Sequence, residues 1–335
     1  MAQILPTSSI CPICYAEIPA ACEWRGAELV MSKTHCGQTW ESVVERGPAF
    51  TNAYYTNKGQ TWNNMTVCLI EVTHRCNNKC RNCYHSEDMG LADPGIPEML
   101  SKVLATPHQD ICLIGGEPTV RTDIAEVVRA VSALGRSVAM YTNGILMDSP
   151  EFVDTLSRAG LVGIGFSLHH PDYSHPKVLE RKRAALEVLA RSPMEVEHIS
   201  FSLENEGQIP GILDEIERYR GYARSFRIRS GYQPTRQQWF VSDLYALVKS
   251  EADRRGEHLV FFQGAENTRY QVGFLYAGIP VWLMSWPSDI TIDLSHARGF
   301  PLAAFLPGSV QHFCRAVVTQ EGWRKGWFNG RRLAE

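Results

Sequence analysis

Short apolar runs alternate with segments of helical spacing through the middle of the chain. Three segments place apolar residues on one helical face, at 122–134, 177–190 and 209–220. Alternating strands and helices form βα units and a parallel sheet. The pattern predicts six units, arranged as an open doubly wound sheet or a partial barrel, with the chemistry at the carboxyl ends of the strands. The predicted strands are TVCLIEV (66–72), ICLI (111–114), SVAMY (137–141), VGIGFS (162–167), HISFS (198–202) and SFRIR (225–229).

The two flanks of this region have a different character. Residues 1–60 show little regular pattern and contain four cysteines, which predicts a small loop-rich module stapled by a metal. Residues 257–335 carry aromatic and apolar runs followed by a tail rich in Trp and Arg. We therefore expect a Cys-rich module of zinc-ribbon or rubredoxin-like type at 1–60, an α/β partial barrel at 61–256 and a C-terminal substrate-capping region at 257–335.

Composition narrows the classes of protein that fit. The 335 residues are 44% hydrophobic, which is enough for a sizeable core and excludes disorder for most of the chain. The formal net charge of -3 disfavours a mainly electrostatic nucleic-acid binder. No apolar run is long enough for a membrane span, and the N-terminus lacks the features of a secretory signal. The expected location is the cytoplasm.

Cysteine spacing gives the strongest chemical signal. Seven of the ten cysteines fall in two short windows, and clustered cysteines in a reducing compartment indicate metal binding. In CNNKCRNC, the thiols of Cys76, Cys80 and Cys83 follow the first predicted strand. Three thiolates can hold three irons of a [4Fe–4S] cluster and leave one iron open to a small molecule. The alternatives are a zinc loop, or a cluster whose fourth cysteine lies elsewhere.

This cysteine loop resembles the one that defines the radical S-adenosylmethionine (SAM) superfamily. The resemblance implies a partial (β/α)6 barrel in which SAM chelates the open iron of the cluster. It also implies that one electron cleaves SAM to a 5′-deoxyadenosyl radical, which abstracts hydrogen from carbon. One departure is Asn82, where the family usually has an aromatic residue. Tyr84 is expected to take over the packing against adenine.

Further matches follow the other predicted strands. LIGGEPT (113–119) resembles the family's GGE motif, in which glycines allow close backbone approach and Glu117 with nearby carbonyls receives the methionine ammonium. For the residues at the later strand ends, ordinary turn or cap chemistry is the alternative. The resemblance implies SAM contacts from Tyr84, Gly115, Gly116, Glu117, Asn143, Ser167, Asn205 and Arg229.

The N-terminal cysteines suggest a second, mononuclear metal site. Cys11 and Cys14 form a knuckle, Cys36 is the expected third ligand, and the fourth is Cys22 or His35. Four such ligands suit zinc or a single iron, with a structural role favoured over an electron relay.

The N-terminal pattern also resembles that of a narrower group, the pterin methylases and tetraether lipid synthases of the superfamily. The matching segments are CPIC (11–14), IPA (18–20), VMSK (30–33) and Cys36-Gly37, with the usual Cys-x-x-His-Gly contracted to HisCysGly. From this group we take only the class of chemistry, which is radical functionalisation of carbon.

These observations favour an enzyme that acts on a small molecule or a modest peptide, with a cellular reductant of the flavodoxin or ferredoxin type. Methylation, C–C bond formation and rearrangement are all compatible with the motifs. One alternative is a zinc-binding interaction protein without catalysis, and another is a radical SAM enzyme that modifies RNA. The segment 285–300 is expected either to cover the open end of the barrel or to pack as an ordinary cap. Its polar and aromatic candidates are Trp286, Asp289, Asp293, His296 and Arg298.

Overall fold

Two β-sheets organise the computed structural model. It describes residues 4–14, 16–47, 67–80, 83, 92–106, 108–170, 175–231, 238–261, 271–286, 288, 290–291 and 303–305. Several sequence candidates lie outside these residues, namely Asn82, Tyr84, Asp289, Asp293, His296 and Arg298.

The N-terminal residues form a four-stranded antiparallel sheet with the strands in chain order: β1 (Ile4–Ile10), β2 (Glu17–Arg25), β3 (Glu28–His35) and β4 (Gln38–Arg46). The prediction of a loop-rich module is therefore wrong. Buried and exposed positions alternate along β2 and β3, as expected for a sheet with one covered face. Its small core consists of Ala20, Cys22, Leu29, Met31 and Val44.

The second sheet contains the six predicted parallel strands, adjacent in chain order: β5 (Val67–Thr73), β6 (Asp110–Gly115), β7 (Ser137–Thr142), β8 (Leu161–Ser167), β9 (Glu195–Leu203) and β10 (Ser225–Ser230). One helix follows each strand: α1 (Ile96–Ala105), α2 (Ile124–Ser132), α3 (Pro150–Arg158), α4 (Pro176–Leu189), α5 (Ile209–Arg218) and α6 (Val241–Arg254). This succession confirms the α/β fold and the partial (β/α)6 barrel. In the described residues no helix has the length and apolarity needed to cross a membrane.

The described part of the C-terminal region adds strands to both edges of this sheet. β13 (Ile279–Met284) pairs with β10, and β12 (Gln271–Tyr276) and β11 (Leu259–Phe261) follow outward. At the other edge, β14 (Ala303–Phe305) pairs with β5. The apolar runs thus extend the barrel sheet. Trp286 donates its backbone N–H to Ser230 Oγ at 2.9 Å, which holds it beside the carboxyl end of β10. The domain boundaries and the role of this region as a substrate cap stay predictions.

The two faces of the barrel strands differ in chemistry. On β7 and β10, Val138, Met140, Phe226 and Ile228 are buried in the main core beside helix residues. The intervening positions form the inner face of the barrel, and they carry Tyr141, Arg227 and Arg229. On β9, a register shift opposite Ile164 and Gly165 leaves Glu197 unpaired and sets His198 beside Gly165. The inner face is therefore polar, whereas bulky aliphatic side chains usually fill the interior of a closed barrel.

Candidate active site and metal centre

The cysteine loop begins directly after β5. Cys76, Cys80 and Cys83 are each half-buried. The backbone N–H of Asn78 lies 3.3 Å from Cys76 Sγ, and the Asn78 side-chain amide lies 3.4 Å from Cys80 Sγ. The Asn143 amide, from the end of β7, approaches Cys76 Sγ at 3.8 Å. Nitrogen donors aimed at sulfur stabilise thiolates, so the loop is prepared to hold a positively charged metal group.

The donor set fits an iron–sulfur cluster better than a single ion. In the described residues, only a group in the N-terminal sheet gathers three or more ligand atoms within 4.8 Å of one another. The three loop thiols do not form such a compact group, and three thiolates at this spacing suit a cluster in which each takes a different iron. Burial raises the pKa of Cys76 to about 11. The hydrogen bond from the backbone of Asn78 opposes this shift, whereas repulsion from Glu117 and the other two thiols adds to it. Metal binding must displace this proton.

The GGE segment packs directly against the start of the cysteine loop. Gly116 N donates to Thr73 O at 2.9 Å, and Glu117 N donates to Arg75 O at 2.8 Å. A Cβ on Gly115 would lie 2.2 Å from Thr73 O, and one on Gly116 would lie 2.3 Å from Arg75 O. The glycines are thus required by backbone-to-backbone packing in the protein itself. Their direct contact with SAM stays a prediction.

Glu117 links the carboxyl ends of β6 and β7 through hydrogen bonds. Its carboxylate is 1% exposed and accepts hydrogen bonds from Thr119 N, Thr119 Oγ1, Thr142 Oγ1 and Asn143 N, at 2.6–3.1 Å. Burial raises its pKa, although these donors oppose the shift. Four donors occupy the lone pairs that a carboxylate offers. That Glu117 contacts the methionine ammonium of SAM stays a prediction.

Two further residues fix the ends of the segment that carries the cysteines. Arg121 is 5% exposed, and it donates to Val72 O at 2.5 Å and to Pro94 O at 2.9 Å. Asp93 accepts from Thr73 Oγ1 at 2.6 Å. Neither residue could be predicted from the sequence, because a charged residue in a turn is expected to be exposed. The local pattern also does not indicate which groups it would bond to.

The polar groups at the remaining strand ends differ in how far they are buried and in whether they already form hydrogen bonds. Ser167 is half-buried at the end of β8, and Asn205 is exposed after β9. Arg229 donates from Nε to Ser202 Oγ at 3.2 Å. The fully buried Lys182, on α4, donates from Nζ to Ser167 O at 2.8 Å. Burial lowers the pKa of Lys182 to about 8, while Cys80, Glu117 and Cys76 oppose the shift. Lys182 was another residue missed from the sequence.

A separate ligand group lies in the N-terminal sheet. Cys11, Cys14, His35 and Cys36 bring their ligand atoms within 4.8 Å of one another. Cys11 Sγ lies 4.0 Å from Cys36 Sγ, while His35 Nδ1 lies 3.4 Å from Cys14 Sγ and 3.2 Å from Cys36 Sγ. A tetrahedral zinc ion separates two sulfurs by about 3.8 Å and a sulfur and a nitrogen by about 3.5 Å. The group therefore has the dimensions of a tetrahedral site.

His35, and not Cys22, lies beside the other three side chains of this group. Cys22 is 1% exposed and lies in the core of the small sheet with Leu29 and Met31. The reason is the two-residue period of β2, which places Ala20 and Cys22 on its covered face. The structure thus places His35, the alternative fourth ligand, beside Cys11, Cys14 and Cys36, and it places Cys22 in the core of the sheet.

The backbone around this group is shaped to present the thiols. Cys36 has a φ of 48° and Gly37 a φ of 72°, so the β3–β4 hairpin turns through two left-handed residues. A cysteine rarely takes this conformation, and such outliers concentrate at functional sites. In the knuckle, burial would raise the pKa of Cys11, but the N–H groups of Cys14 and Ile13 and other hydrogen bonds lower it to about 6.

Comparison with known proteins identifies the domain that carries the cysteine loop. The family model described as "Radical SAM superfamily" matches residues 70–203. A probable GTP 3′,8-cyclase of Aeropyrum pernix is 34% identical over 128 residues, which cover 34% of this chain and 35% of that protein. A GTP 3′,8-cyclase of Synechocystis sp. is 24% identical over 197 residues, covering 54% of this chain and 60% of the relative. The chain thus spans between a third and two thirds of the length of these relatives.

Solved structures that superpose on part of this chain were also found. Streptococcus suis SuiB bound to S-adenosylmethionine superposes with a TM-score of 0.44 and 18% identity, over 57% of this chain and 44% of SuiB. Archaeal TYW1 superposes with a TM-score of 0.39 and 12% identity, over 71% of this chain and 87% of TYW1. The matched residues 70–203 contain the cysteine loop, the GGE segment and the carboxyl ends of five barrel strands. On that match, residues 70–203 of this chain form a Radical SAM domain.

Proposed function

We propose that this enzyme holds a [4Fe–4S] cluster through Cys76, Cys80 and Cys83 and binds SAM at the adjoining strand ends, to abstract hydrogen from carbon of a small-molecule or peptide substrate. The observation that carries the proposal is the half-buried loop of three thiols, fixed by N–H donors and by the GGE backbone. When bound, the cluster and SAM together supply one-electron cleavage chemistry. We place this reaction in the cytoplasm, with a reductant of the flavodoxin or ferredoxin type as electron donor.

The chain's own residues hold this site and balance its charge. The ammonium of Lys182 lies under Ser167 and is close enough for Cys76, Cys80 and Glu117 to stabilise its charge. It offsets part of the negative charge that thiolates gather at the loop. Within the proposal, the side chains of Ser167, Asn205 and Arg229 bind SAM, with Tyr84 against the adenine and Gly115 and Gly116 keeping the strand end close.

The proposal is tested by anaerobic reconstitution with iron and sulfide, followed by SAM and dithionite. We expect about four irons per chain in the cluster and release of 5′-deoxyadenosine, measured by chromatography. Substrates are then screened by enhanced deoxyadenosine turnover, with GTP included because relatives carry its name. Zinc at the loop and no deoxyadenosine under any substrate would instead favour a binding protein without catalysis.

We also propose that Cys11, Cys14, His35 and Cys36 hold one zinc or one iron that staples the N-terminal sheet. The tetrahedral spacing of the four ligand atoms supports this site. Among the described residues, the packed cluster of that sheet comprises five hydrophobic residues, so a metal would contribute much of its stability.

The fourth ligand can be identified by substitution. We expect His35→Ala to lose one equivalent of metal, measured by mass spectrometry of the chain before cluster reconstitution. The same variant should show a lower unfolding midpoint, because a ligand of a structural metal is gone. Cys22→Ala removes a core thiol of the same sheet and is the matched control, which should keep its metal. Metal loss in Cys22→Ala with retention in His35→Ala would overturn the assignment.

A further inference from the structure

Three side chains meet on the polar inner face of the barrel, and we call them the luminal cluster: Tyr141 of β7, His198 of β9 and Arg227 of β10. Arg227 Nη1 lies 3.1 Å from His198 Nε2 and 3.4 Å from Tyr141 Oη. The rings of Tyr141 and His198 meet edge to face with centroids 5.0 Å apart. The cluster therefore links three strands across the inside of the barrel.

The contact with Arg227 fixes the tautomer of His198. A guanidinium group only donates hydrogen bonds, so His198 Nε2 must accept and the ring proton must sit on Nδ1. Burial, together with the charges of Arg227 and Arg229, lowers the pKa of His198 well below its usual value, so the ring is neutral. His198 thus offers the N–H group of Nδ1 as a hydrogen-bond donor, while its Nε2 is occupied by Arg227.

The Nδ1–H donor of His198 has no acceptor among the described residues. The ring is 3% exposed, and its Nδ1 finds no hydrogen-bond partner in the part of the chain that the structure describes. An unsatisfied buried donor costs about 1–3 kcal/mol, and native proteins normally supply a partner for such groups. A bound ligand is the natural source of the missing acceptor.

Arg227 offers further donors at the same place. Its hydrogen bonds to Tyr141 and His198 both use Nη1, which leaves Nε and Nη2, and the side chain is only half-buried. Among the described residues, no carboxylate lies within ion-pair distance of Arg227. The positive charge of Arg227 favours ionisation of the nearby Glu197. Burial nevertheless raises the pKa of Glu197, so this carboxyl group is a weaker counter-ion.

Small residues follow one another along the inner face from the luminal cluster toward the strand ends, and we call this row of residues the luminal path. Gly165 and Ser167 on β8, and Ser200 and Ser202 on β9, follow on the inner face toward the carboxyl ends of the strands. Arg229 bonds to Ser202 at the upper end of this path. A substrate lying along it would have one end at Arg227 and the other near the candidate SAM site.

We propose that the luminal cluster binds an anionic group of the substrate, a carboxylate or a phosphate. Its oxygens accept from His198 Nδ1 and from Nε and Nη2 of Arg227, and Tyr141 holds the guanidinium in place. Charge-assisted, forked contacts of this kind suit both anions. The proposal rests on the proposed function, because it takes the barrel interior as the substrate site, and it sets how deeply the substrate enters.

The test uses the cluster-loaded enzyme and two probes, inorganic pyrophosphate and succinate. We expect titration calorimetry to detect binding of one probe, which tells a phosphate site from a carboxylate site. Arg227→Gln and His198→Phe should each weaken that binding at least tenfold. His198→Asn keeps a donor near the Nδ1 position and should retain most of it. Arg220→Gln removes a charge from the exposed surface and is the matched control.

Nuclear magnetic resonance of the wild-type enzyme supplies a second readout that does not depend on variant folding. The ¹⁵N signal of His198, identified by its loss in His198→Asn, should shift on addition of the bound probe. If neither probe binds, or if Arg227→Gln binds as well as Arg220→Gln, the luminal site is refuted. SAM cleavage with no effect of Arg227 would refute only this inference. Arg227-dependent binding in a protein that never cleaves SAM would refute only the proposed function.

Discussion

Replacing Cys83 by alanine should reduce 5′-deoxyadenosine formation to the level of a protein-free control, while replacing Cys68 by alanine should leave it near the wild-type rate. Both variants remove one thiol from the same domain. Cys83 belongs to the half-buried loop after β5, whereas Cys68 is fully buried within β5 in the main core. The pair therefore separates a cluster ligand from a cysteine that only packs.

The size of the expected loss follows from the number of ligands. Three protein thiolates hold three irons of the cluster, and removal of one leaves a second iron without protein support. Iron and sulfide content should fall with the activity. Cys68→Ala deletes only a small buried group, which costs about 1 kcal/mol of stability and no iron.

The opposite pattern has a definite meaning. If Cys83→Ala kept its cluster and still cleaved SAM, another thiol would have to serve as the ligand. If Cys68→Ala lost activity with full iron content, the core of β5 would contribute to the site in a way that packing does not explain. Absorption of the reconstituted protein near the sulfur-to-iron charge-transfer bands distinguishes these cases.

The barrel could be predicted because its strands are apolar on the side that helices cover. Phe226 and Ile228 alternate with Arg227 and Arg229, and similar runs mark the other strands. The N-terminal sheet lacked this signal, since its strands carry charged residues at many exposed positions and, among the described residues, its packed cluster comprises five hydrophobic residues. A strand that has one covered face and many charged residues resembles a loop in sequence when the strands that pair with it are unknown.

Individual roles were harder to predict than elements. The choice between His35 and Cys22 depends on which face of β2 is covered, and cysteine spacing says nothing about that. Glu117 satisfies its carboxylate with Thr142 and Asn143, at the end of the next strand. Such contacts depend on the register of neighbouring strands, which a local motif does not contain. The motif located the right place in the fold, but it did not indicate these hydrogen bonds.

Gly116→Ala should strongly destabilise the barrel. The new Cβ would lie 2.3 Å from Arg75 O and 2.8 Å from His74 O, and backbone atoms cannot swing aside as a flexible side chain can. Relief requires breaking the hydrogen bonds from Gly116 N to Thr73 O and from Glu117 N to Arg75 O. We expect a loss of about 3 kcal/mol or more in the free energy of unfolding.

Gly135→Ala provides the matched control for a glycine-to-alanine change. Gly135 has a φ of 75°, and a Cβ there would meet nothing within 4 Å, so this variant carries only the conformational cost of a left-handed residue, about 1–2 kcal/mol. Urea unfolding measures both losses, and iron content after reconstitution measures the effect on the cysteine loop. Gly116→Ala should bind less iron because the backbone that positions Cys76 is displaced, whereas Gly135→Ala should bind the full complement. Equal unfolding midpoints and equal iron content in the two variants would show that the GGE segment does not hold the loop in place.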